Sequence, residues 1–151
     1  MRRFKIYTTC AVIALMAAVV TAQGPAKIAT LQDHVALMKS NAQANGALNK
    51  SVNSGDFAGA RMQVTTLRQN LTTLQTFWME KKNAEAVKVV KEGLGRLDGL
   101  DKMLGAATVD QAAAAMAAKE FGGNTCGACH KMLREGDAQT GFRFQAAANP
   151  F

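Results

Sequence analysis

Apolar residues recur at alternating steps of three and four along segment 57–82, the spacing of one face of an α-helix. The positions are Phe57, Ala60, Val64, Leu67, Leu71, Leu74 and Trp78. A stripe of this kind buries one face of a helix and leaves the opposite face polar. The segment therefore predicts one helix of a helical bundle.

Three further segments carry helical patterns. Segment 26–53 follows Pro25, which suits a helix start, and its apolar positions are Ile28, Leu31, Val35, Met38, Ala42, Leu48 and Val52. Segment 84–104 places Val87, Val90, Leu94, Leu97 and Leu104 inward. An alanine-rich segment that runs to about Arg134 predicts a fourth helix.

Polar residues at the boundaries predict how these helices begin. Asp56, after the turn at 53–55, can cap the second helix, and Asn83 can cap the third. Thr108 and Gln111 have the spacing of a capping box and predict the start of the fourth helix.

The pattern as a whole indicates an all-α protein. No proline lies between Pro25 and Pro150, and alternating β-branched runs are missing. Short connections between four helices predict an antiparallel up-down-up-down four-helix bundle over residues 23–135. Residues 136–151 predict an irregular tail, which Phe142 and Phe144 can pack back onto the bundle.

Residues 1–22 resemble a secretory signal peptide. The start is positively charged, with Arg2, Arg3 and Lys5, and an apolar run follows at 8–20. The segment ends in the small residues Val20-Thr21-Ala22. The apolar run is shorter than the ~20 residues that span a bilayer, which favours cleavage after Ala22 over a retained membrane anchor. Cleavage lowers the net charge of +7 by three and removes Cys10. We expect a periplasmic protein without stable membrane insertion, whose mild charge does not favour nucleic-acid binding.

The two cysteines that remain lie in the motif CGACH, residues 126–130. A structural zinc needs four ligands, and Cys126, Cys129 and His130 have only the distant His34 to join them. A redox-active disulfide usually opens a helix after a strand, and no strand is predicted. In the third interpretation each thiol adds across a vinyl group of haem, and the imidazole binds the iron. The favoured interpretation is one covalently attached haem c.

The motif comes late in the chain, after the predicted bundle helices. This arrangement, with FGGNTCGACHKMLR near the end and MKSNAQANGALNKSVNSG in the first helix, resembles the class II c-type cytochromes, which include cytochrome c prime. The resemblance implies a four-helix bundle with haem on the last helix. Two positions depart from the family pattern, because Leu133 replaces the usual Tyr or Phe, and His34 stands where many relatives have arginine.

The resemblance also implies that a residue of the first helix faces the distal side of the iron, where this chain has Met38. At 1.5 Å per residue, Met38 lies roughly 12–18 Å into its helix and His130 roughly 6–8 Å from the end of the last, an offset that a haem can bridge. Met38 is therefore the candidate distal ligand, with ordinary core packing as the alternative. His34, one turn earlier, is a rival ligand or a haem-edge contact. Arg134 is either a partner of a haem propionate or a solvated helix end.

These residues predict an electron-transfer protein with a low-spin His/Met-ligated haem and redox partner proteins. The alternative is a five-coordinate cytochrome c prime type protein that binds NO or CO. An interaction subunit that feeds electrons to a dehydrogenase is a third hypothesis. We expect no enzymatic turnover, because no carboxylate cluster, nucleophile–base pair or phosphate loop is present. The resemblance further implies that a homodimer can form through the first two helices.

Overall fold

The computed structural model describes residue 24 and residues 26–136 and 141–151. The predicted signal peptide, residues 1–22, lies outside the described residues, as does Pro25. The described part is mostly helical, which confirms the predicted all-α class. Within that part, no helix combines the length and the apolar character needed to cross a membrane.

Three long helices are followed by a helical run in three pieces. The long helices are α1 (Leu31–Ser54), α2 (Phe57–Glu80) and α3 (Ala84–Leu104). The run consists of α4 (Gln111–Phe121), a π-helical piece (Gly122–Gly127, here called the π segment) and α5 (Ala128–Leu133). Helix α1 packs against α2 and α4, and α3 packs against α2 and α4.

Helix α1 begins at Leu31, later than predicted from Pro25. Thr30 is the reason, because its hydroxyl accepts a hydrogen bond from the Asp33 N–H at 3.2 Å. The Asp33 carboxylate in turn accepts one from the Thr30 N–H at 2.9 Å. This capping box satisfies two backbone donors at a helix start, so the helix begins where the box forms.

Asp56 and Asn83 cap α2 and α3 as predicted, accepting from the backbone N–H groups of Gly59 at 2.9 Å and Ala86 at 3.0 Å. The predicted cap at Thr108 is wrong. Asp110 caps α4 instead, through a 3.0 Å bond from the Ala113 N–H. Gln111, the other half of the predicted box, donates from Nε2 to the carbonyl oxygens of Val52 and Asn53, each at 2.9 Å.

The buried face of α1 also differs from the prediction. Leu31 and Val35 are 51% and 43% exposed, whereas His34 and Leu37 are buried. Farther along, Ser40 and Asn41 are buried as well. Asn70 of α2 donates from Nδ2 to the Ser40 hydroxyl at 2.9 Å across the α1–α2 interface. A buried polar pair of this kind is tolerated because the two groups satisfy each other.

The apolar stripe of α2 forms the centre of the core, as predicted. Its buried members are Ala60, Val64, Leu67, Leu71, Leu74 and Trp78. On the outer side, Arg61 forms a 2.8 Å ion pair with Asp101, and Arg68 forms another with Asp98. Both pairs join α2 to α3, and because they are exposed they contribute little to stability.

The predicted fourth helix has the expected extent but not a uniform hydrogen-bond pattern. Gly122, Gly127 and Ala128 all keep right-handed helical dihedrals, so α4, the π segment and α5 follow one another without a break. The run ends at Leu133, because Arg134 is extended.

The described part of the tail packs against the bundle. A short strand β1 (Arg134–Glu135) pairs antiparallel with β2 (Arg143–Phe144), and a 3₁₀ turn follows at Ala146–Ala148. Phe144 packs against the core, whereas Phe142 is 54% exposed. The expectation that both phenylalanines pack the tail onto the bundle is therefore right for Phe144 and wrong for Phe142.

Candidate functional site

The π segment gives the CGACH motif its setting. It contains Thr125 and Cys126, and α5 continues with Cys129 and His130. A π turn widens a helix by one residue and is frequent at functional sites. Sequence periodicity did not reveal it, although Gly122, Gly123 and Gly127 weaken the α-helical preference there.

Gly93 of α3 allows the π segment to approach closely. A β-carbon at position 93 would clash with the Thr125 side chain and lie 3.0 Å from Leu71 Cδ2. The absent side chain is thus what lets the cysteine-bearing helix pack on α3. The sequence shows this glycine, but not what lies against it.

Met38 and the CGACH motif line the same cavity. Its volume is about 290 Å³. Its walls are formed by Met38, Asn41, Ala42, Asn45, Gly46, Leu71, Leu74, Val90, Thr125, Cys126, Cys129 and His130. The volume is at the lower end of the ~300–1,000 Å³ typical of ligand pockets, so a larger ligand would remain partly outside it. Four of the predicted site residues, from opposite ends of the chain, are therefore brought together.

Three residues of the cavity wall also carry buried polar atoms without partners. Asn41 Oδ1, Asn45 Oδ1 and Thr125 Oγ1 are buried and make no hydrogen bond in the described structure. Leaving such an atom unpaired costs ~1–3 kcal/mol, so each calls for an explanation such as a ligand or an ordered water. Sequence analysis missed these three residues. The available signal was the placement of Asn41 and Asn45 three and seven residues after Met38, on the same helix face.

Burial controls the protonation of the motif. It raises the pKa of the Cys126 thiol, and burial followed by the charge of Cys126 raises the pKa of Cys129 to about 11. Burial, with a smaller effect from Arg134, lowers the pKa of His130. No disulfide joins the two cysteines, and their raised pKa values keep the thiols protonated at neutral pH, whereas redox-active cysteines have a lowered pKa. The neutral imidazole keeps a lone pair for a metal.

His34 lies outside the cavity wall. It is buried among Phe77, Trp78, Phe144 and Phe151, with ring centroids 5.0–6.3 Å away. Desolvation, and secondarily the charge of His130, lowers the pKa of His34 to about 4. Within the described ranges, no three or more His, Cys, Asp and Glu side chains are grouped to hold a metal ion.

Arg134 contacts the tail. Its guanidinium carbon lies 3.7 Å from the centre of the Phe142 ring, a cation–π geometry. A second cavity, of about 300 Å³, lies between residues 26–28 and α2 and contains none of the predicted site residues.

Comparisons of the chain with protein-family models, curated proteins and solved structures find no match.

Proposed function

We propose that the protein is a periplasmic mono-haem c-type cytochrome that transfers electrons. The observation that carries the proposal is the shared cavity of Met38, Cys126, Cys129 and His130. Two thiols, an imidazole and a thioether are side chains that could attach haem c and hold its iron. The apolar side chains of Leu71, Leu74 and Val90 complete a wall suited to a porphyrin.

The proposal includes the up-down-up-down arrangement of the bundle. Gln111, at the start of α4, bonds to Val52 and Asn53 at the end of α1. Later in the run, a β-carbon at Gly122 would lie 3.4 Å from Asn45 Nδ2. The run and α1 therefore point in opposite directions. This arrangement would bring His130 near the level of Met38 along the bundle.

The neighbouring pair of helices supports the same arrangement. Arg61 pairs with Asp101, and Arg68, two turns later in α2, pairs with the earlier residue Asp98 of α3. Opposed numbering of this kind is expected for adjacent antiparallel helices joined by a short connection.

Each side chain has a distinct role in the proposed site. Cys126 and Cys129 would each add S–H across a vinyl group, with sulfur bonding to one carbon and hydrogen to the other. His130 and Met38 would hold the iron, and a thioether ligand would raise its reduction potential. When bound, the haem supplies one-electron chemistry at its iron.

The same proposal has three further parts: the protein belongs to the class II c-type cytochromes, residues 1–22 direct its export, and it exchanges electrons with redox partner proteins. They rest on the motif order and the N-terminal pattern described above.

A five-coordinate site that binds NO or CO is the second candidate function. Asn41 and Asn45 favour it, because both residues line the cavity beside Met38. Their side-chain Nδ2 groups can donate hydrogen bonds to a small ligand held there.

The test is expression with an export signal and active haem-attachment machinery. We expect a coloured protein whose intact mass exceeds that of the processed chain by one haem, and a Cys126→Ala/Cys129→Ala control without covalent haem. A colourless protein of bare mass would refute the proposal.

The spectrum then separates the two candidates. A weak far-red charge-transfer band in the ferric protein, lost in Met38→Ala, supports the electron carrier. A high-spin spectrum with rapid CO binding in the unmodified protein supports the five-coordinate alternative.

A further inference from the structure

The tail residues 141–151 are fixed to the end of the helix that carries His130. The Gln145 N–H donates to the Leu133 carbonyl oxygen at 3.0 Å. The Gln145 side-chain Nε2 lies 3.4 Å from the carbonyl oxygens of both Lys131 and Arg134. Carbonyls at the end of a helix lack intrahelical partners, so Gln145 satisfies groups that α5 leaves unpaired.

A second set of contacts fixes the same segment. Arg134 and Glu135 pair in a ladder with Phe144 and Arg143, and Arg143 forms a 2.8 Å ion pair with Glu135. The ion pair is exposed and contributes little, so the backbone pairing and Gln145 carry most of the attachment.

The attached tail closes an aromatic cage around His34. The cage consists of Phe77 and Trp78 from α2 and Phe144 and Phe151 from the tail. Phe144 is nearest, with its ring centroid 5.0 Å from that of His34 in an edge-on arrangement. Phe151 also stacks on Phe77 at 5.5 Å, which holds the last residue of the chain against α2.

His34 and Met38 lie one turn apart on α1, and both carry groups that bind haem iron. Met38 lines the cavity and His34 does not. Their surroundings differ, because the rings of Phe144 and Phe151 from the tail pack against His34.

We propose that the tail selects the distal iron ligand, because Phe144 and Phe151 hold His34 in the cage and leave Met38 facing the cavity. Phe144 and Phe151 are thus positioning residues that act through His34. The ligand selection rests on the proposed haem function, whereas the cage itself does not.

The principal experiment compares ferric spectra of the haem-loaded protein and its Phe144→Ala/Phe151→Ala variant. We expect the variant to lose the far-red iron–thioether band but to stay low-spin, as with two imidazole ligands. Adding His34→Ala should abolish that low-spin state. Phe142→Ala is the matched control, because this tail ring is exposed and lies outside the cage, and it should keep the band. Retention of the band in Phe144→Ala/Phe151→Ala would overturn the proposal.

A second variant remains informative if the double substitution fails to fold. His34→Leu keeps an apolar side chain in the cage and should leave the parent spectrum unchanged. Loss of the iron–thioether band or of the low-spin state in His34→Leu would show that His34 is itself a ligand, contrary to the proposal.

Carbethoxylation of His34, located by peptide mass spectrometry, tests the cage when the preparation contains no haem. We expect slow labelling in the parent and at least tenfold faster labelling in Phe144→Ala/Phe151→Ala. Equal rates would overturn the cage. A haem-free parent with the expected labelling would refute the proposed function and leave the cage standing.

Discussion

Gly93 of α3 lies directly against Thr125 of the π segment, so closely that a β-carbon at position 93 would clash with the threonine side chain. The cysteine-bearing helix can pack on α3 because one residue there has no side chain. Replacement of this glycine should therefore disturb the site more than its helical position suggests.

Gly93→Ala should destabilise the protein by about 1–3 kcal/mol, because overpacking outweighs the better helix propensity of alanine. Gly95→Ala is the matched control. It lies in the same helix, and a β-carbon there meets nothing within 4 Å. We expect Gly95→Ala to stabilise by up to about 1 kcal/mol. Urea unfolding followed by circular dichroism measures both, and equal effects would contradict the packing argument.

Asp110→Ala should cost about 0.5–2 kcal/mol, because it removes the side-chain acceptor for the Ala113 N–H at the start of α4. Thr108 lies two residues earlier and is exposed. Thr108→Ala should therefore change stability by less than about 0.5 kcal/mol. The same unfolding measurement distinguishes the two. A larger loss of stability in Thr108→Ala than in Asp110→Ala would support the capping box predicted from sequence.

His34 should make the fold sensitive to acid. Its pKa is about 4 in the fold against an ordinary value of 6.5. The unfolded chain therefore binds a proton that the folded chain excludes, and stability falls as pH drops from 6.5 towards 4. The loss amounts to roughly 2–3 kcal/mol by pH 4.

The measurement is the free energy of unfolding between pH 8 and pH 4 for the parent and His34→Leu. We expect the difference between the two proteins to be constant above pH 6.5 and to move in favour of His34→Leu below it. Parallel pH profiles would show that the imidazole is already accessible to protons.

If the protein binds haem as proposed, Thr125→Val should have opposite effects on the stability of the haem-free and haem-loaded forms. Thr125 Oγ1 is buried without a partner, so without haem its replacement by an apolar isostere should be neutral or stabilising by up to about 1 kcal/mol. If the bound haem or an associated water completes the hydrogen bond, the same change should cost about 0.5–1.5 kcal/mol in the loaded protein. Thermal unfolding of both forms measures the two effects. Identical changes in Tm would show that Thr125 makes no hydrogen bond that depends on the ligand.

Features that depend on near neighbours along the chain could be predicted from the amino-acid sequence. The stripe from Ala60 to Trp78 and the caps at Asp56 and Asn83 were predicted because helix periodicity and capping involve residues only three or four positions apart. The CGACH motif likewise identified Cys126, Cys129 and His130 as a unit.

Features that depend on partners distant in sequence became visible only in the folded protein. The close packing of Thr125 on α3 depends on Gly93, and the burial of His34 depends in part on Phe144 and Phe151. The same holds for the shift of the buried face of α1 away from Leu31 and Val35. No local pattern encodes these contacts, because burial follows from which other helix or tail segment covers a residue after the chain has packed.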